Sequence, residues 1–127
     1  MSIELNHTIV HARDRTAAAG EVAEILGLDA PSTFGPFAVV ELANGASLDF
    51  MDEAGDFAGQ HFAFLVDEEE FDQIQQRLRD RGKQWWADPF KKRPGEINTN
   101  DGGRGLYWEG PDRHWLEIIT RPYGSGS

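Results

Sequence analysis

The same order of predicted secondary-structure elements occurs twice in this chain, and this repetition limits what its 127 residues can fold into. Each half predicts a strand, a helix and then two strands, with His7 on the first strand of one half and His61 on that of the other. A βαββ unit alone leaves one sheet face bare, so two units can curl together and bury it. The sequence therefore predicts an α+β fold in which two βαββ modules form a cupped mixed sheet with the helices outside.

Capping residues mark the ends of both predicted helices. Asp14 precedes a helix that runs to about Leu26, and Gly27 follows it at the position where a left-handed residue is needed. In the second half, Asp67 with Glu70 three residues later forms an Asp-led variant of the capping box. Each half thus has one helix after its first strand.

Turn residues separate the predicted strands. An Ala-Asn-Gly turn joins strands at about Phe37–Leu42 and Ala46–Met51, which indicates a hairpin. The corresponding strands of the second half are about Gly105–Glu109 and His114–Arg121. The run HFAFLV, which begins at His61, predicts a short buried strand.

The composition indicates one soluble domain. The chain is 39% hydrophobic and 27% charged, and it is long enough for one core. It has no cysteine, and no apolar run approaches the roughly 18 residues of a membrane helix. We expect a single domain at 1–122, with modules at about 3–52 and 60–121, a flexible tail at 123–127 and a cytoplasmic location.

The charge balance limits the partners. Twelve Lys and Arg against 22 Asp and Glu give a net charge of −10, which would repel the phosphates of nucleic acid. The same charge is compatible with metal ions, cationic ligands and neutral small molecules. We therefore expect a small-molecule substrate or ligand, with no nucleic-acid or membrane partner.

Four ionisable side chains fall at equivalent places in the two halves. His7 and His61 lie on the first strand of each half, and Asp49 and Glu117 lie on the last. Such groups in half-buried strands are costly unless they are paired or bound to a metal. Any one of them alone is more often a hydrogen-bonded or solvated residue. As a set, two imidazoles and one or two carboxylates predict a site for Zn, Ni, Co, Mn or Fe(II).

Three segments carry a resemblance to a known family. They are LNHTIVHARD around His7, GQHFAFLVD around His61 and GLYWEGPDRHWLEIITRP around Glu117. In these segments the chain resembles the vicinal oxygen chelate superfamily, the glyoxalase/bleomycin-resistance/dioxygenase group, over about residues 3–122. The resemblance implies the glyoxalase/bleomycin resistance/dihydroxybiphenyl dioxygenase fold and a homodimer. It also implies a divalent metal held by these three residues, with Asp49 as a fourth ligand or a base.

The function that we expect from this resemblance is of the glyoxalase type. In such enzymes the substrate chelates the metal through neighbouring oxygens, and the metal acts as a Lewis acid in a lyase or isomerase reaction. Either Glu117 or Asp49 could serve as the base that accepts a proton. The sequence does not identify the substrate.

Two alternatives remain open. Tyr107 resembles the active-site tyrosine of extradiol dioxygenases, but residues 98–100 read Asn-Thr-Asn where that pattern has a histidine. A bleomycin-resistance-like protein would bind a cationic drug without chemistry, and the net charge and four tryptophans suit such a ligand. Tyr107 is a candidate catalytic residue, and Tyr107, Arg104 and Trp108 are candidate substrate contacts.

Overall fold

The computed structural model describes residues 2–126. Met1 and Ser127, the outermost residues of the predicted domain and tail, lie outside the described residues. The chain divides into two compact units, one ending at Ala58 and the other beginning at Gly59. No helix within residues 2–126 is long and apolar enough to cross a membrane.

The first unit is a four-stranded mixed sheet with a helix on one face. Its elements are β1 (His7–Ala12), α1 (Arg15–Leu26), β2 (Ser32–Phe34), β3 (Phe37–Glu41) and β4 (Ser47–Asp52). The strand order is β1-β4-β3-β2, in which only the β1–β4 pair is parallel. The helix packs against β1, β3 and β4 and buries its small apolar side chains there: Ala18, Ala19, Val22, Ala23 and Ile25.

The second unit repeats this topology. Its elements are β5 (His61–Leu65), α2 (Glu68–Asp80), β6 (Trp85–Trp86), β7 (Gly105–Glu109) and β8 (Trp115–Ile119), with short 3₁₀ turns at Asn100–Gly102 and Pro111–Arg113. The strand order is β5-β8-β7-β6, and again only the pair formed by the first and last strands is parallel. Each unit is therefore a βαβββ module.

The capping residues act as the sequence predicts. The Asp14 side chain accepts hydrogen bonds from two backbone N–H groups of the first turn of α1, and Gly27 adopts a left-handed conformation with φ 72°. At α2, the Asp67 side chain accepts from the Glu70 N–H while the Glu70 carboxylate accepts from the Asp67 N–H. Both helices begin as predicted because these caps use only local hydrogen bonds.

The structure differs from the sequence prediction in two details. The predicted βαββ order lacks a strand, because β2 and β6 are edge strands of three and two residues, too short to show periodicity. The segment beginning at His61 is not fully buried either: His61, Ala63 and Leu65 are exposed, whereas Phe62 and Phe64 are half-buried. This alternation arises because β5 is an edge strand whose two faces have different surroundings.

The two faces of the second sheet differ in chemistry. Leu106, Trp108, Leu116 and Ile118 point to the side covered by α2, where Arg79 of the helix stacks over Trp85. The opposite side, which we call the Glu117 face, carries polar and aromatic groups. Pairing and alternation place on it His61, Ala63, Leu65, Trp86, Gly105, Tyr107, Glu109, Trp115, Glu117 and Ile119.

Candidate functional site

The strand register places the predicted residues at equivalent positions of the two units. His7 on β1 pairs with Ser47, two residues before Asp49 on β4. In the second unit, His61 on β5 pairs with Trp115, two residues before Glu117 on β8. Since side chains two apart share a face, each unit carries a histidine and a carboxylate on one side of its sheet.

In the second unit these two side chains meet. The Nδ1 atom of His61 lies 2.8 Å from the carbonyl oxygen of Trp115, which can only accept, so Nδ1 carries a proton and donates it. The other ring nitrogen, Nε2, lies 3.0 Å from Oε1 of Glu117. The Glu117 side chain is 1% exposed and that of His61 is 46% exposed. A neutral imidazole and an ionised carboxylate each direct a lone pair at this gap, so the pair is suited to hold a proton or a metal ion between them.

Two tyrosine hydroxyls complete the surroundings of this carboxylate. Tyr123 donates a short hydrogen bond to Oε2 of Glu117, and its own oxygen lies 3.1 Å from the hydroxyl of Tyr107. Because Tyr123 gives its only proton to the carboxylate, Tyr107 is the donor between the two hydroxyls. Burial raises the pKa of both tyrosines, and the hydrogen bond to Glu117 raises the pKa of Tyr123 further, so both stay protonated near neutral pH.

Tyr123 is the residue of this site that the sequence interpretation missed. It lies in the segment assigned to a flexible tail, and its Gly-Ser-rich neighbours suggest an unstructured end. In the structure, Gly126 donates a backbone hydrogen bond to the Asp101 side chain, and Ser125 donates to the Pro122 carbonyl. The only signal in the sequence was an aromatic residue six positions after Glu117.

Aromatic rings extend from this pair across the Glu117 face. The Tyr107 ring stacks with the rings of His61 and Trp115, whose centroids lie 6.0 and 5.9 Å away. Trp115 then contacts Trp86 at 5.5 Å. The Lys91 ammonium lies 5.1 Å from the centroid of the Trp86 ring and 5.4 Å from that of Trp115. The site therefore combines the histidine–carboxylate pair with a cluster of aromatic rings.

The first unit has a different environment at the equivalent positions. Asp49 is 9% exposed and accepts a 2.7 Å hydrogen bond from the Ser47 hydroxyl. His7 is exposed, with its Nδ1 2.6 Å from the Asn6 side-chain oxygen. Val39 pairs with Asp49 where the second unit has Tyr107 opposite Glu117. The carboxylate of the first unit therefore has a serine hydroxyl as its partner, whereas that of the second unit has a tyrosine hydroxyl.

Two predicted substrate contacts lie away from the Glu117 face. Arg104 forms ion pairs with Glu68 and Asp72 of α2, at 2.7 and 2.8 Å, and its guanidinium lies over the Phe71 ring. Trp108 is fully buried on the helix-covered side of the sheet. Their placement gives no support to contact with a substrate at Glu117, whereas Tyr107 lies beside that carboxylate.

The predicted metal ligands are brought together only in part. Within residues 2–126, no group of three or more His, Asp or Glu side chains is arranged so that it could hold a metal ion. His61 and Glu117 form a two-residue group in the second unit, and His7 and Asp49 belong to the first. The His61–Glu117 pair nevertheless provides two adjacent ligand atoms, an imidazole nitrogen and a carboxylate oxygen, of the types that metal sites use.

Solved glyoxalase and dioxygenase structures share the fold of this protein. A glyoxalase/dioxygenase structure from Nostoc punctiforme superposes with a TM-score of 0.68 at 22% identity, over 94% of this chain and 91% of that one. The repeated βαβββ module is thus the fold of the vicinal oxygen chelate superfamily, as predicted.

Two other solved structures are much more similar in sequence. Oxidase ChaP-H1 is 63% identical with a TM-score of 0.95, over 97% of this chain and 99% of that one. Oxidase ChaP-H2 is 56% identical with a TM-score of 0.97, over the full length of both chains. The chain therefore belongs to the family of these two ChaP proteins, and its fold is the one that the resemblance to the vicinal oxygen chelate superfamily implied. No protein-family model matches the sequence, and no curated protein matches it.

Proposed function

We propose that this protein is a divalent-metal-dependent oxidase whose small-molecule substrate binds the metal through neighbouring oxygens. In this proposal His7, His61 and Glu117 are metal ligands and Asp49 is a fourth ligand or a base. The observation that carries it is the His61–Glu117 pair, in which Nε2 and Oε1 lie 3.0 Å apart while Nδ1 is held by a backbone carbonyl.

This geometry fits a metal-binding pair. Two ligand atoms about 2.1 Å from an ion and at right angles to each other are about 3.0 Å apart. Metal-binding histidines usually donate their other ring N–H to a carbonyl or carboxylate, as His61 does to Trp115. A set of two histidines and one carboxylate is typical of non-haem Fe(II) oxygenases, which favours Fe(II) among the candidate ions.

The residues around the pair have separate roles in the proposed reaction. A bound ion would supply Lewis-acid or redox chemistry to the chelated substrate. Tyr107 and Tyr123 hold protons next to Glu117, where a substrate oxygen would gain or lose one. Trp115, which is half-buried beside the stacked Tyr107 ring, is an aromatic ring against which a substrate could be oriented.

The names of the similar proteins favour oxidation over glyoxalase-type chemistry. The two relatives above 50% identity are oxidases, whereas the glyoxalase/dioxygenase structure at 22% identity supports only the fold. An oxidase passes electrons and protons from its substrate to dioxygen, which becomes hydrogen peroxide after two electrons and water after four. The lyase or isomerase expected from sequence would consume no oxygen, so a measurement of oxygen uptake separates the two reactions.

The homodimer that the family resemblance implies remains a prediction.

The test begins with metal binding. Untagged protein should take up close to one Fe(II) per chain under anaerobic conditions. It should then shift the absorption band of 4-nitrocatechol, a coloured probe with two neighbouring oxygens. His61→Ala, Glu117→Gln and His7→Ala should each abolish both signals. Matched controls are His11→Gln on the same strand as His7, and Glu96→Gln on an exposed loop; both should bind the metal normally.

The metal-loaded protein is then screened for oxygen uptake with a panel of catechols and hydroxyquinones. Uptake that disappears in Glu117→Gln supports the oxidase. Metal that survives all three ligand substitutions would overturn the assignment of the site. A protein that binds no divalent ion, but whose tryptophan fluorescence is quenched by a cationic glycopeptide, would instead be a binding protein of the bleomycin-resistance type.

A further inference from the structure

We propose that Tyr123 is a positioning residue for the metal site, one that orients the Glu117 carboxylate by holding its Oε2 atom. The inference rests on the proposed function, in which Glu117 is a metal ligand. Tyr123 belongs to the C-terminal segment, which lies outside the alignment of the two halves of the sequence.

The two oxygens of Glu117 have different partners. Oε1 lies 3.0 Å from Nε2 of His61, whereas Oε2 accepts the Tyr123 hydroxyl. A carboxylate held by one oxygen cannot rotate freely about its last bond, so the other oxygen keeps its direction. Hydrogen bonds of this kind to a ligating carboxylate orient it and strengthen metal binding.

Tyr123 reaches this carboxylate from the solvent side. The residue is 60% exposed, but its hydroxyl contacts a side chain that is 1% exposed. The ring therefore lies between a buried carboxylate and bulk water. Such a position also limits the access of water to Oε2.

The backbone around Tyr123 is held in a defined turn. The Ser125 N–H and hydroxyl both donate to the Pro122 carbonyl, at 3.1 and 2.6 Å. The Gly126 N–H donates to the Asp101 side chain at 3.2 Å, which attaches the segment to the loop before β7. Tyr107 adds a third constraint at the hydroxyl itself, 3.1 Å away. These contacts reduce the entropy cost of keeping the ring in place.

The first unit provides a comparison. Its carboxylate, Asp49, also has a hydroxyl donor, but the donor is Ser47 of the same strand. Glu117 has Trp115 at the corresponding position and takes its hydroxyl from outside the repeat. Each unit therefore supplies a hydroxyl donor to its carboxylate, but from a different part of the chain.

The experiment compares the metal affinity of wild type with that of two variants that remove the Tyr123 hydroxyl. Tyr123→Phe keeps the ring and removes the hydroxyl, and a chain ending at Pro122 removes the whole segment. Both should weaken Zn²⁺ or Mn²⁺ binding about 10- to 100-fold in competition with a chromophoric chelator. Both should also change the visible spectrum of the Co²⁺-substituted protein, which reports ligand geometry. Tyr107→Phe leaves the Tyr123–Glu117 bond in place and should alter the affinity less than about threefold.

The outcomes separate this inference from the proposed function. If the wild-type protein binds these ions and Glu117→Gln does not, the site stands. Tyr123→Phe and the shortened chain must then both lose affinity. Unchanged affinity and an unchanged Co²⁺ spectrum in either folded variant would overturn the role of Tyr123 alone. If wild type and Glu117→Gln bind metal equally, or neither binds it, the proposed function fails first, whatever Tyr123→Phe does.

Discussion

The Nε2 atom of His61 lies 3.0 Å from Oε1 of Glu117, although 56 residues separate the two in the chain. Parallel pairing of β5 with β8 sets this distance, because it places His61 opposite Trp115 and so two residues from Glu117 on the same face. A shift of the register by one residue would turn the carboxylate toward α2 and leave it among apolar side chains. The contact therefore depends on the register of the sheet.

The first prediction concerns the energy of this contact in the metal-free protein. His61→Ala, Glu117→Gln and the double variant form a thermodynamic cycle, whose coupling energy measures the interaction. With a proton held between Nε2 and Oε1 we expect about 1 kcal/mol, below the roughly 1.5–3 kcal/mol of hydrogen bonds to charged groups, because the His61 side chain is half exposed. Urea unfolding followed by circular dichroism gives the four values. A coupling energy near zero would mean that the two groups do not interact in solution.

The second prediction concerns pH. The Arg104 hydrogen bond lowers the pKa of Glu68 from its ordinary value of 4.5, and a smaller contribution comes from Thr120. A carboxyl whose pKa is lowered by folding stabilises the folded state above its unfolded pKa, and this effect is lost as the pH falls through the folded value. The melting temperature of wild type should therefore exceed that of Glu68→Gln at pH 7, and the difference should shrink as the pH falls below 4.5 and through the lower folded pKa of Glu68.

Glu69→Gln is the matched control for this experiment. Glu69 lies in the same first turn of α2, so it has a similar interaction with the helix dipole, but its contact is with Gln73. Its substitution should show a weaker pH dependence. Equal curves for the two variants would assign the effect to the helix dipole and not to Arg104.

The third prediction uses two glycines with opposite surroundings. A Cβ added at Gly20, in the middle of α1, meets no atom within 4 Å, so Gly20→Ala should raise the free energy of unfolding by about 0.5–1 kcal/mol. A Cβ added at Gly59 would overlap the Arg113 carbonyl oxygen, so Gly59→Ala should lower the free energy of unfolding by about 1–3 kcal/mol. Chemical unfolding of both variants tests the pair. Stabilisation by Gly59→Ala would show that this close approach does not persist in solution.

The fourth prediction concerns the loop that carries Lys91. The Asp88 carboxylate accepts backbone N–H groups of Phe90, Lys92 and Arg93, at 2.8 to 3.1 Å. Asp88→Ala leaves those amides without this acceptor, so the hydrogen exchange of Lys92 and Arg93 should become several-fold faster. Exchange at the Asn98 amide, which donates to the Gly105 carbonyl, is the internal reference and should not change. Uniform acceleration at both places would indicate global destabilisation instead.

Local chemistry explains which features were predictable from sequence. Asp14, Gly27 and the Asp67–Glu70 pair act on backbone groups within a few residues, so their effect does not depend on the rest of the fold. The repeat was also visible, since a histidine and a carboxylate recur on equivalent strands. The fold class followed from these signals, although β2 and β6 were missed because each is too short to show a pattern.

The amino-acid sequence by itself determined the helices, the hairpins, the twofold repetition and the residue types available for a metal site. Tertiary structure alone decided that His61 directs one nitrogen at Trp115 and the other at Glu117, and that Tyr123 returns to the same carboxylate. The physical reason is the separation along the chain between the residues that interact. Caps and turns form between neighbours in the chain, whereas sheet register and the docking of the C-terminal segment depend on packing between residues far apart in sequence.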